Sequence, residues 1–261
     1  MYKAVFIDID KTLLNSQGKV SEETKQAIEK AKAQGVGIFL ISGRSRAASQ
    51  TFQELSSRYI INSNGADIYD CKQKTFLYQS VIEPELCKKL YDVAQRENVV
   101  IKFDFGPSRA VNDPAYLEYY EIELNEIGEF LAQHPVIQIG MCCEDRQKIE
   151  KVKDYVKQQT SIKVVNQFIW EVNGKVMQAI HITNPNVSKG NAMSNLCEHL
   201  KINLKETVAI GDKINDISML EKAGLSVAME NATENVKQAA DFITTSNDDE
   251  GVAKVLKKFL F

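Results

Sequence analysis

Four apolar residues in a row, Ala4-Val5-Phe6-Ile7, end on the charge of Asp8, and similar runs recur further along the chain. A short apolar run bounded by charge predicts a buried strand, here over 3–9. Val36-Gly37-Ile38-Phe39-Leu40-Ile41 predicts a second strand and Tyr59-Ile60-Ile61 a short third. Between them, the spacing predicts helices over about 21–33 and from about Arg46 to Ser57. Ser21 is a good N-cap for the first helix, while Thr24 stands where a capping box would place Glu or Gln. A β-α-β-α-β order implies parallel strands joined by right-handed crossovers. Asp67-Ile68-Tyr69 and Thr75-Phe76-Leu77-Tyr78 then read as the arms of a hairpin.

Near Glu83-Pro84 the rhythm changes. Helix 84–96, strands 99–104 and 136–143, helix 145–158 and strands around 162–171 and 176–183 make an α+β pattern. Asn173-Gly174, between the last two strands, is a strong two-residue hairpin signal. The stretch 105–134 reads as part loop and part helix, the helix lying around Tyr116–Glu123. From Ser188 the first rhythm returns: helix 188–199, strand Val208-Ala209-Ile210, helix 215–222, strand Leu225–Ala228, helix 233–239, strand 241–244 and helix 249–259. The expectation is an α/β domain over 1–82 and 187–261, interrupted by a separate α+β domain over 83–186.

Length agrees, since 261 residues exceed the usual single domain. An apolar fraction of 44% supplies packed cores, and a net charge of −3 gives no general attraction to nucleic acid or anionic membranes. No apolar run approaches the roughly 20 residues that span a bilayer, and the N-terminus enters a strand without a signal-type leader. The five cysteines, Cys71, Cys87, Cys142, Cys143 and Cys197, lack metal or disulfide spacing, so reduced thiols in the cytoplasm are expected.

Charge at strand ends is where chemistry enters. Asp8 and Asp10, two apart on a strand, point to the same side at its carboxyl end, where open α/β sheets place their sites. Like charges that close are unfavourable unless a cation joins them or one holds a proton. The pair therefore predicts a magnesium site, an acid–base pair, or both. Ser42-Gly43-Arg44 offers a hydroxyl and backbone amides where a strand turns into a helix. Ser188-Lys189-Gly190 puts a lysine at a helix start, and Gly211-Asp212-Lys213-Ile214-Asn215-Asp216 adds carboxylates after another strand. Taken singly, each is an ordinary turn, solvated charge or helix cap.

In order and placement, these four segments resemble the motifs of the haloacid dehalogenase-like (HAD) superfamily of phosphohydrolases. Ser63-Asn64-Gly65-Ala66, Asn186-Val187-Ser188-Lys189-Gly190, Asn215–Leu220 and Val227–Ala232 resemble its Cof-type branch (subclass IIB), which carries a large α/β cap between the second and third motifs. The resemblance implies a Rossmann-like core with a parallel sheet flanked by helices, and an inserted α+β cap that sets substrate specificity. It implies that Asp8 is the nucleophile and that Asp10 protonates the leaving oxygen and then activates water. Asp8, the Asp10 carbonyl and Asp212 would hold Mg²⁺. Ser42, the amides of Ile9 and Gly43, Lys189 and Asn215 would bind phosphoryl oxygens, with Asp216 and Thr12 in support. Thr12 is expected to tie the loop's backbone. Lys11 and Lys213 stand where the family usually has Gly, or Gly or Asn, and Glu230 where Gly is frequent. The two lysines either add positive charge near the site or point to solvent.

The implied activity is Mg²⁺-dependent hydrolysis of a small phosphorylated metabolite, a sugar phosphate or a phosphorylated cofactor, through an aspartyl-phosphate. Phosphoryl transfer of the mutase type and non-catalytic phosphometabolite binding are the alternatives on the same fold. No nucleic acid or membrane partner is expected. His134, His181 and His199 lack metal spacing and read as structural. Phe168 and Trp170 read as packing, and Arg109, Asn112 and Asp113 as a polar loop of the insertion.

Overall fold

The computed structural model describes residues 1–124 and 126–261. In chain order the main elements are β1 (Ala4–Asp8), α1 (Glu22–Ala33), β2 (Gly37–Ile41), α2 (Arg46–Ser49), β3 (Tyr59–Asn62), β4 (Asp67–Asp70), β5 (Thr75–Gln79) and α3 (Pro84–Glu97). They continue with β6 (Val100–Asp104), β7 (Arg109–Val111), β8 (Ile122–Glu123), α4 (Ile127–Gln133), β9 (Gln138–Cys143), α5 (Arg146–Lys157), β10 (Lys163–Val172) and β11 (Lys175–Thr183). The last are α6 (Lys189–Leu200), β12 (Thr207–Gly211), α7 (Ile217–Leu220), β13 (Leu225–Ala228), α8 (Glu234–Gln238), β14 (Phe242–Ile243) and α9 (Gly251–Leu260).

They form two compact units. One comprises 1–43, 49–77 and 188–261, and the other comprises 44–48 and 78–187. The first holds an eight-stranded sheet in the order β14-β13-β12-β1-β2-β3-β4-β5, parallel from β14 to β3. Alternation along β1 assigns its two faces. Val5 and Ile7 pack with Ala27, Ile28 and Ala31 of α1 and Val252, Val255 and Leu256 of α9. Ala4 and Phe6 pack with Met193, Leu196 and Cys197 of α6 and with Met219 and Val236. A sheet covered on both faces is why its strands read as continuous apolar runs. Ser21 caps α1 by accepting from the Thr24 N–H at 3.1 Å.

The second unit is a six-stranded sheet in the order β10-β11-β9-β6-β7-β8. Ile101, Phe103, Ile139, Met141, Ile180 and Ile182 cover one face against α3, α4 and α5. On the other, Val111, Tyr116, Tyr120, Cys142, Met177 and Ala179 cluster with Phe168 and Trp170 beside them. Asn173 and Gly174 both take positive φ, 51° and 70°, as the two-residue hairpin between β10 and β11 requires.

Two local expectations are corrected. Tyr116–Glu123 contains no helix; a 3₁₀ turn ends at Tyr116, and Ile122–Glu123 pairs with β7 as a strand. Burying Tyr116 and Tyr120 on the sheet outweighs local helix propensity there. The helix expected over 46–57 is a single turn of α-helix, 46–49, followed by a 3₁₀ segment, Gln50–Leu55. Arg109 pairs with Glu121, Asn112 accepts from the Ile101 N–H, and Asp113 caps the turn at Ala115, so these polar groups brace their own unit. Among the described residues no helix is long and apolar enough to cross a membrane.

Candidate active site

The carboxyl ends of β1, β2, β3 and β12 meet the start of α6, all within the first unit. Apolar β1 carries Asp8 into the interior, leaving it 3% exposed. The chain then turns tightly through Ile9–Leu13, with Lys11 at φ 66° and the Leu14 N–H donating to the Ile9 carbonyl at 2.9 Å. The turn brings the Thr12 hydroxyl to Asp212, where it donates to Oδ1 at 3.0 Å. Thr12 thus ties its loop to a carboxylate 200 residues away, not to the loop's own backbone as expected.

Ser188 caps α6 by accepting from the Asn191 N–H at 3.1 Å, which fixes Lys189 as the first residue of the helix. Lys189 is 1% exposed, and its ammonium donates to Asp8 Oδ1 and to Asp216 Oδ1. Close packing makes this reach available. A Cβ on Gly190 would lie 1.9 Å from the Ser218 carbonyl oxygen, so only glycine lets the helix start approach that segment. Asp216 uses its other oxygen as a cap, accepting from the backbone N–H groups of Asp212 and Lys213 at 3.0 and 2.9 Å. Both of its oxygens are therefore engaged in holding other site residues.

Asp8, Asp212 and Asp216 each present a carboxylate oxygen within 4.8 Å of the others, all three residues being buried. Burial pushes the Asp8 carboxyl well above the usual range; Lys189 opposes this, while Asp216 and Asp212 add to it. Asp212 is raised for the same first reason, with Lys213 and Thr12 pulling back. Burial would lower Lys189, but its two carboxylate partners outweigh that and hold it above the ordinary lysine range. Three carboxylates against the Lys189 and Lys213 ammoniums leave a site short of positive charge. Asp8 Oδ2 is buried and has no hydrogen-bond partner among the described residues. An all-oxygen, anionic donor set with an unsatisfied carboxylate oxygen fits a hard divalent cation.

The structure brings most of the sequence-selected residues together. Ser42 is fully buried at the end of β2. Asn215 donates from Nδ2 to Asn64 Oδ1 at 2.9 Å, and Asn64 donates its N–H to the Ser42 carbonyl at 2.9 Å. The close carboxylate group is Asp8, Asp212 and Asp216, and the Asp10 carbonyl accepts from the Lys213 ammonium at 3.5 Å. Lys11 is exposed, whereas Lys213 lies over the site. Asn64 was legible only within Ser63-Asn64-Gly65-Ala66, one of the segments that carry the Cof-type resemblance. Its bond to Asn215, 151 residues away, has no counterpart in local pattern.

A family model for haloacid dehalogenase-like hydrolases matches residues 5–256. The chain belongs to this family. It is similar, at 27% identity over 261 residues covering 99% of this chain and 96% of the relative, to a 5-amino-6-(5-phospho-D-ribitylamino)uracil phosphatase of Bacillus subtilis. The crystal structure of a haloacid dehalogenase-like hydrolase from Bacteroides thetaiotaomicron superposes with a TM-score of 0.84 at 28% identity, covering 100% of both chains. The HAD subclass IIB sugar phosphatase BT4131 gives 0.80 at 26% identity, covering 98% of each. The present HAD chain is thus a phosphatase-type hydrolase of the Cof kind, with the α/β architecture of these neighbours.

Proposed function

We propose that this hydrolase removes the phosphoryl group from a small phosphorylated metabolite, a sugar phosphate or a phosphorylated cofactor precursor, with Mg²⁺ as its metal. The observation that carries the reading is the Lys189 ammonium held between Asp8 and Asp216 in a buried cluster of carboxylates. That arrangement places a carboxylate nucleophile and a fixed cation for phosphoryl oxygens in one place. The names of the relatives support the substrate class, since one acts on a phosphorylated ribitylaminouracil and another is a sugar phosphatase.

Asp8, Asp212 and the Asp10 carbonyl would hold the metal. Mg²⁺ when bound supplies positive charge to the phosphoryl oxygens and to the carboxylates. A carboxylate oxygen of Asp8 attacks phosphorus as the bond to the leaving oxygen breaks. Asp10 gives that oxygen a proton. Asp10 then takes a proton from water, whose oxygen attacks phosphorus and releases the Asp8 carboxylate and inorganic phosphate. Lys189, Ser42, Asn215 and the amides of Ile9 and Gly43 hold the equatorial oxygens, where charge spreads in the transition state. Thr12 orients Asp212, and Asp216 holds Lys189 and the Asp212 backbone. We assign the chemistry to the unit containing these residues, and substrate choice to the unit formed mainly by 78–187.

The test is Asp8→Asn assayed on an aryl phosphate with Mg²⁺. Hydrolysis should be abolished while the circular dichroism spectrum stays that of the wild type. Full turnover by that variant would overturn the reading. Release of inorganic phosphate, measured directly, separates hydrolysis from transfer between substrate positions.

A further inference from the structure

Ser63, Asn64 and Gly65 take φ of 52°, 58° and 99°, one after another. The left-handed region is unfavourable for a non-glycine residue, and Asn tolerates it best. This turn is buried, with Ser63 at 0% and Asn64 at 1% exposure. A strained buried turn persists only where its surroundings hold it in place.

The surroundings are the site itself. The Asn64 N–H donates to the Ser42 carbonyl at 2.9 Å, tying the turn to the end of β2. The Asn64 side chain backs onto Gly43, where an added Cβ would stand 3.0 Å from Oδ1. The same Oδ1 accepts from Asn215 Nδ2 at 2.9 Å. Gly65 lies so close to Ser188 that a Cβ would meet its carbonyl oxygen at 2.4 Å, one residue before Lys189. One three-residue turn therefore touches three segments that are far apart in sequence: Ser42-Gly43, Ser188-Lys189 and Asn215.

We propose that Asn64 is a positioning residue, whose left-handed turn sets the mutual placement of Ser42, Gly43, Lys189 and Asn215 around the phosphoryl group. The assignment rests on the phosphatase reading above. Two requirements meet at this position. The backbone must accept a positive φ, and the side chain must offer a neutral acceptor to Asn215. Glycine satisfies the first and loses the second. Aspartate keeps both the backbone tolerance and the acceptor, but places a negative charge 2.9 Å from the Asn215 amide, beside an incoming phosphate dianion. Asn215 Oδ1 is itself buried without a partner among the described residues, so its bond to Asn64 is what orients the amide.

The experiment compares full-length wild type, Asn64→Gly and Asn64→Asp, each with Mg²⁺. It measures calorimetric affinity for inorganic phosphate, kcat and KM on p-nitrophenyl phosphate, and the melting temperature. Asn64→Gly should fold, with phosphate affinity and kcat/KM each down about 10–100-fold, the scale expected when a group holding an oxyanion is misplaced. Asn64→Asp should melt close to the wild type yet lose more phosphate affinity than Asn64→Gly. Wild-type phosphate affinity in Asn64→Gly would overturn the proposal. So would losses in both variants that merely follow the fall in melting temperature, since that is a structural role alone. A wild-type protein that neither binds phosphate nor hydrolyses the ester would instead overturn the phosphatase reading.

Discussion

Lys189 Nζ and the Asp216 carboxylate lie 2.5 Å apart, and neither side chain reaches solvent. The pair is held by a helix cap at Ser188 and by two backbone N–H groups on Asp216. Removing the cation alone leaves Asp8 and Asp216 buried and uncompensated, which costs about 3–5 kcal/mol. Lys189→Met should therefore lower the metal-free unfolding free energy by about that amount in urea titrations. Its turnover of p-nitrophenyl phosphate should fall by at least about 10²–10³. A variant with wild-type stability would show that the ammonium carries no such burden.

Chelation provides a second check. With EDTA present hydrolysis should cease, and it should return on adding Mg²⁺. Independently of turnover, Mg²⁺ should raise the melting temperature by binding the folded state alone. Asp212→Ala should abolish that shift, because Asp212 belongs to the buried carboxylate cluster. An identical shift in Asp212→Ala would remove Asp212 from the metal site.

Lys11 is exposed and left-handed, at φ 66°. The carbonyl of Lys11 accepts from Asn231 Nδ2 at 2.9 Å, a contact that any residue at position 11 keeps. Lys11→Gly should therefore stabilise the fold by about 0.5–1 kcal/mol, the left-handed cost less the extra chain entropy of glycine. An unchanged or lower urea midpoint would contradict this.

Burial pushes His181 down to about 3 from the ordinary 6.5, and Lys102 contributes in the same direction. The unfolded chain takes up a proton there as pH falls below 6.5, while the folded protein does not. Stability contributed by His181 is full above that pH and is lost progressively toward pH 3. Between pH 7 and 4.5 the wild type should lose more unfolding free energy than His181→Gln. Equal losses would show that His181 titrates normally in the fold.

Much of the fold was legible because both faces of the first sheet are covered, which writes its strands as apolar runs. Ser21 and Asn173-Gly174 announced their cap and turn through short-range chemistry that needs no partner from elsewhere. The region around Tyr116–Glu123 was misread for the opposite reason. Its conformation is chosen by the sheet that buries Tyr116 and Tyr120, not by neighbours in sequence. Thr12 was misassigned likewise, because its partner Asp212 lies on another strand.

The sequence by itself determined which residue types stand at the carboxyl ends of strands: Asp8, Ser42 and Asp212, with Lys189 at a helix start. Those positions follow from local pattern, because an apolar run must stop where charge begins. Only the tertiary structure decided how they meet. The Lys189 bonds to Asp8 and Asp216, the Thr12 bond to Asp212 and the placing of Asn64 against Gly43 and Asn215 each join distant segments. Such contacts depend on parallel strands packing side by side and on glycines admitting close approach, and no local propensity encodes them.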